Sequence, residues 1–375
     1  MVIDFQHHYI PVALAKKRGL YSETGKTMLQ EGGLPATTMH RRLYDLDLQL
    51  EDMAQGGVDL SVLSCLLGWS ASLEECRFIN DDLAAIEKKY PRRFVGLAQA
   101  PVLDGKLALA ELRRAVEDLG LRGVTITSQV RGVSLDAPAL YDLYDLVCQL
   151  DVPVFVHPAV VPTGYEHLKD YDLPRVLGRE VDLTVATTRL IAGGIFDRYP
   201  NLKIVMAHFG GGIAAVKDRL VGKGYRFGTL KRPFGEYYDM VYFDMAGFEG
   251  ASAALNCALE GIRPERLVFA SDYPQDFTGV NTDTGKGMRE LRNYIATIRQ
   301  LPLSEPLKNN ADKVLSVAVA PEICRRLPAA TNAGSVASAA FIPAALRIVA
   351  TLAAISFERF MISLPIKEIT VEEIS

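Results

Sequence analysis

A chain of 375 residues, 49% apolar and 23% charged, has the balance of a globular protein and the length for one large α/β barrel or two ordinary domains. A formal charge of −4, with no long run of Lys and Arg, excludes a concentrated phosphate-binding surface and so a nucleic-acid partner, which leaves a small molecule as the expected ligand. Cys65, Cys76, Cys148, Cys257 and Cys324 are odd in number and lack CxxC spacing, as reduced core thiols do, and the chain opens without a secretory leader, so residence in the cytoplasm is expected.

Taken in chain order, short apolar runs predict strands at 2–6, 60–66, 94–98, 123–127, 153–157, 203–208, 240–244 and 267–272. Between them, apolar residues at three and four spacing predict helices at 46–54, 73–90, 107–119, 140–150, 183–199 and 251–259. Runs such as Val154-Phe155-Val156 are apolar on consecutive residues, which fits strands buried on both faces. Eight such units in series predict a (β/α)8 barrel over residues 1–327, since no glycine-rich phosphate turn follows the first strand as an open doubly wound sheet would require. Residues 328–375 form an extension: a small polar linker, then an apolar stretch at 336–361 broken by Pro343, Arg347, Glu358 and Arg359. The part at 336–355 has the length of a membrane span, but its Pro and Arg favour a helix packed on the barrel or on a second subunit, or a poorly ordered tail.

Rare polar residues fall where barrel active sites are assembled. His8 follows the first strand, His157 ends the fifth, His208 ends the sixth and Asp272 ends the eighth, so the four converge on the carboxyl-end mouth. Imidazoles with one carboxylate suit Zn²⁺ or a similar divalent ion, and no organic cofactor is called for. His7, adjacent to His8 on an extended chain, points the other way, whereas Gln6 shares the face of His8 and offers only a neutral carbonyl, a weak ligand. The glycines of His208-Phe209-Gly210-Gly211-Gly212 serve either a close approach of backbone to a carboxylate or a tight turn. Trp69 just past the second strand is an aromatic wall for a planar substrate or part of the barrel rim. Arg41 and Arg42 are candidates to bind a substrate carboxylate, against the usual solvated role of arginine.

The blocks Ile3-Asp4-Phe5-Gln6-His7-His8-Tyr9-Ile10-Pro11, Tyr90-Pro91-Arg92-Arg93-Phe94-Val95-Gly96-Leu97, Val154-Phe155-Val156-His157-Pro158, Gly193-Gly194-Ile195-Phe196, Ala207-His208-Phe209-Gly210-Gly211-Gly212 and Ser271-Asp272-Tyr273-Pro274 carry a resemblance. There the sequence resembles the amidohydrolase-related family that includes aminocarboxymuconate-semialdehyde decarboxylase and the resorcylate-type decarboxylases. The segment at 310–315 resembles that family's closing helix. The resemblance implies His8, His157 and Asp272 as metal ligands and His208 as the catalytic acid/base, with Asp272 holding metal and water in line. Gln6 stands where the family has the first His of its His-x-His. The implied activity is non-oxidative decarboxylation of an aromatic or conjugated acid. Hydrolysis of a lactone, ester or amide at the same site, or binding of a small acid without turnover, are the alternatives. A homodimer is the expected oligomer.

Overall fold

The computed structural model describes residues 2–23, 27–228, 230–247 and 252–274. The barrel strands are β1 (Ile3–His8), β2 (Leu60–Ser64), β3 (Phe94–Gly96), β4 (Val124–Thr127), β5 (Val154–His157), β6 (Ile204–Met206), β7 (Tyr242–Asp244) and β8 (Leu267–Val268). All pair in parallel, β1 to β2 to β3 in one run and β4 through β8 in the other. Parallel bridges close both seams, Ala98 with Val124 and His7 with Tyr273. The second seam is reinforced by Phe5 N–H donating to the Phe269 carbonyl (2.9 Å) and His8 N–H to that of Tyr273 (2.7 Å). The sheet therefore returns on itself as the (β/α)8 barrel that the strand–helix alternation predicts.

Helices α1 (Leu46–Gly56), α2 (Leu73–Lys89), α3 (Lys106–Glu117), α4 (Tyr141–Leu150), α5 (Arg179–Ala192) and α6 (Ser252–Gly261) cover the outside. Local chemistry sets their ends. The Asp45 carboxylate caps α1 by accepting from the amides of Asp47 and Leu48, and Ser72 with Glu75 forms a reciprocal capping box on α2. The helix expected at 183–199 is two, because Gly194 takes a left-handed φ of +72° and starts a separate turn at Ile195–Arg198. An antiparallel hairpin, Thr27–Glu31 with Leu34–Met39, interrupts the first βα unit, and its polar composition hid it from the apolar pattern.

Apolar packing separates into an inside and an outside. Ile3, Phe5, Val62, Val95, Phe155 and Val205 belong to a cluster within the barrel, while Val154, Val156 and Ile204 join the larger cluster under the helices. That is why Val154-Phe155-Val156 is apolar at every position. In β1 the pairing to β2 slips between Asp4 and His7, so three steps on β1 match two on β2. This bulge turns adjacent Phe5 and Gln6 to the same interior cavity, and leaves His7 outside, on Asp4 and against the Tyr273 ring, while His8 returns inward. The expected extension at 328–375, its stretch at 336–355, the segment at 310–315 and Cys324 lie outside the described residues. Among the described residues no helix is long and apolar enough to cross a membrane, and Cys65, Cys76, Cys148 and Cys257 are free thiols.

Candidate active site

Four strand ends deliver the polar residues of the mouth. β1 supplies Gln6 and His8, β5 supplies His157, and His208 and Asp272 follow β6 and β8. His8, His157 and Asp272 each present one ligand atom, and the three atoms lie within 4.8 Å of one another. His8 Nε2 is 2.7 Å and His157 Nε2 is 3.7 Å from Asp272 Oδ1. Each imidazole is held by its other nitrogen. His8 Nδ1 lies 3.0 Å from Ser64 Oγ and His157 Nδ1 lies 2.8 Å from the Pro158 carbonyl. With Nδ1 carrying the proton, both Nε2 lone pairs face Asp272, the tautomer a metal ligand needs. Ser64 was not singled out by sequence, since a lone serine at a strand end carries no distinguishing signal.

The electrostatics suit a cation. Burial pushes His157 down to about 4, so its ring is neutral near pH 7. Burial alone would raise Asp272, but the imidazoles of His157 and His8 beside it outweigh burial and hold the carboxyl well below the usual range. Gln6 Nε2 donates to Asp272 Oδ1 (2.6 Å), while Gln6 Oε1 is buried with no partner. Turning that amide end over sets the orphaned carbonyl oxygen toward Asp272, an arrangement a cation would satisfy. Two imidazoles, one carboxylate and one spare amide oxygen therefore fit a divalent metal ion.

His208 sits beside this cluster in a different state. Its Nε2 is 3.9 Å from Asp272 Oδ2 and 3.4 Å from Gln6 Nε2, and its Nδ1 is 2.8 Å from Glu180 Oε1. Burial opposes its charge, yet Glu180, Asp272 and Asp244 together raise it to about 10. The buried Asp244 carboxyl, which accepts the His208 amide N–H at 2.9 Å, is itself pushed up to about 7 by burial. His208 through Gly212 run with positive φ at every residue, a left-handed turn. Asp272 is left-handed as well, at φ +56°. Non-glycine residues held there cost about 1–3 kcal/mol each, so His208, Phe209 and Asp272 store strain at the mouth. The three glycines make a tight left-handed turn that leads into a 3-10 turn at Ile213–Val216, and a Cβ on Gly211 would stand 1.9 Å from the Glu180 carbonyl.

Trp69 stacks on His157, with ring centroids 4.2 Å apart at 26°, and meets His8 edge-on at 6.1 Å. The two arginines are engaged elsewhere. Arg41 pairs on the surface with the cap Asp45. Arg42 Nε donates to Asp52 Oδ2 (2.8 Å), and the Tyr273 hydroxyl donates to the same oxygen. Asp52 is fully buried, so Arg42 neutralises a core carboxylate and ties α1 to the turn that carries Asp272. Arg42→Ala is accordingly expected to cost about 3–5 kcal/mol in urea unfolding, with KM moving little; a large KM rise at native stability would mark Arg42 as a substrate ligand instead.

The family model described as Amidohydrolase matches residues 3–308. Decarboxylase orsB of Emericella nidulans is 30% identical over 288 residues, 73% of this chain and 85% of that protein. The 2-amino-3-carboxymuconate-6-semialdehyde decarboxylase of Dictyostelium discoideum is 34% identical over 175 residues, 45% of this chain and 48% of that protein, so this match spans about half of that relative's length. The crystal structure of 5-carboxyvanillate decarboxylase from Novosphingobium aromaticivorans, complexed with manganese and 4-hydroxy-3-methoxy-5-nitrobenzoic acid, has a TM-score of 0.68 at 21% identity, covering 87% of this chain and 96% of that one. At that identity the likeness concerns the fold.

Proposed function

The chain belongs to the amidohydrolase family, and on that premise we propose that it is a metal-dependent carboxy-lyase that removes carbon dioxide from an aromatic or conjugated carboxylic acid without oxidation. The observation that carries this reading is the meeting of three ligand-type side chains, His8, His157 and Asp272, with a fourth, His208, held protonated beside them. Decarboxylases among the relatives support the same choice. His8, His157 and Asp272 would hold the ion, with the Gln6 amide oxygen as a weak fourth donor, and the ion supplies a fixed positive charge for substrate oxygens. Zinc is our first candidate because imidazoles and a carboxylate suit it, and the oxygen of Gln6 in place of a third imidazole leaves room for manganese.

Trp69 offers an aromatic wall to a planar substrate. His208 Nε2–H gives its proton to the carbon that bears the carboxylate, the new C–H bond taking the electron pair of the adjacent π bond; the carbon–carbon bond then breaks, its electron pair restores that π bond, and carbon dioxide leaves. One proton is consumed per carbon dioxide, with no change of oxidation state to be balanced by a cofactor. We expect the protein to work in the cytoplasm as a homodimer, with residues 1–327 as the catalytic barrel and 328–375 as an extension.

The test is carbon dioxide release from a panel of hydroxybenzoic and dienoic acids, with the protein loaded in turn with zinc and with manganese. Stoichiometric release from at least one acid supports the reading. Full metal occupancy with no release from any acid, or with turnover of lactones or esters in place of acids, would overturn it.

A further inference from the structure

Glu180 comes from a helix, not from a strand end, and yet its carboxylate reaches the mouth. It sits in the first turn of α5 with its side chain largely buried, Oε1 2.8 Å from His208 Nδ1 and Oε2 without a partner. One helical turn later on the same face, Thr184 Oγ1 donates to the carbonyls of Gly210 (3.1 Å) and Gly211 (3.2 Å). The left-handed turn that carries His208 is thus clamped by two side chains of α5. Missing side chains make the approach possible. A Cβ on Gly211 would enter the Glu180 carbonyl, and a Cβ on Gly247 would stand 2.4 Å from His208 Nδ1.

We infer that Glu180 is a positioning residue for His208: by accepting the Nδ1–H it fixes the ring orientation, so that Nε2–H alone faces the Asp272 cluster. A ring free to rotate would present Nε2–H to the cluster only part of the time. The inference rests on His208 as the proton-moving group, and it extends that reading by naming what holds the group in place.

The test uses the zinc-loaded full chain, labelled with ¹⁵N-histidine, with His208 resonances assigned by their loss in His208→Gln. The native protein should show Nδ1 protonated at His208. In Glu180→Met, which fills the same space without an acceptor, that signature should be lost and kcat should fall at least about tenfold, with KM and zinc content close to native. Glu180→Gln, which keeps an acceptor oxygen, should restore the Nδ1–H signature and part of the rate. A native His208 protonated only on Nε2 would overturn the proposal even if the Met variant failed to fold. An unchanged His208 spectrum or unchanged kcat in Glu180→Met would overturn it too. Because the spectra need no substrate, a protein that decarboxylated nothing but lost the signature in the Met variant would retain the positioning role and refute the decarboxylase assignment.

Discussion

His208→Gln should lower kcat by about 10²–10⁴-fold while leaving bound metal at the native level. The two quantities separate because His208 does not belong to the triad that brings its ligand atoms within 4.8 Å of one another. Its Nε2 stands 3.9 Å from the nearer Asp272 oxygen, beside the cluster, and its Nδ1 is committed to Glu180. Glutamine has similar reach and hydrogen-bonding capacity but no proton to give near neutral pH. Measured turnover and elemental analysis on the same preparation check the expectation. A variant that lost its metal along with its activity would move His208 into the ligand set, and one with native kcat would remove it from the chemistry.

Asp272→Ala should abolish both metal binding and turnover. Asp272 is the only carboxylate of the triad, and Gln6 Nε2 (2.6 Å) and His8 Nε2 (2.7 Å) both lie against one of its oxygens. Without it two imidazoles and an amide remain, a set that has lost its carboxylate donor. Loss of an outer-shell partner costs about 10- to 100-fold in metal affinity, and a direct ligand should cost more. Equilibrium dialysis against zinc, followed by elemental analysis, gives the answer. His157→Ala should behave alike with a smaller loss, since it removes a neutral donor. Stoichiometric zinc in the Asp272→Ala protein would place the metal elsewhere.

Much of this site was legible in the sequence because the barrel forces strand ends together. Eight short apolar runs placed His8, His157, His208 and Asp272 at equivalent ends, and the folded chain brings His8, His157 and Asp272 together with His208 beside them. What escaped has a physical cause in each case. Gln6 was expected on the face of His8 by simple alternation, and it is there, but through a bulge that also turns Phe5 inward; alternation has no information about a slipped register. Arg42 looked like a free cation because its partner Asp52 is ten residues away on the buried face of α1, beside Gln49 and Met53. A carboxylate on an otherwise core-facing stripe was the available signal. Glu180 lies in the first turn of a helix, where acidic residues are ordinary, and only the three-dimensional approach of α5 to the His208 turn sets it apart.

The most direct measurement is the product formed in D₂O by the metal-loaded protein from an acid that it turns over, read by NMR and mass spectrometry. Decarboxylation with proton delivery from His208 predicts one equivalent of carbon dioxide and one deuterium on the ring or chain carbon that held the carboxylate. A product that keeps its carboxylate and gains the elements of water would contradict the account.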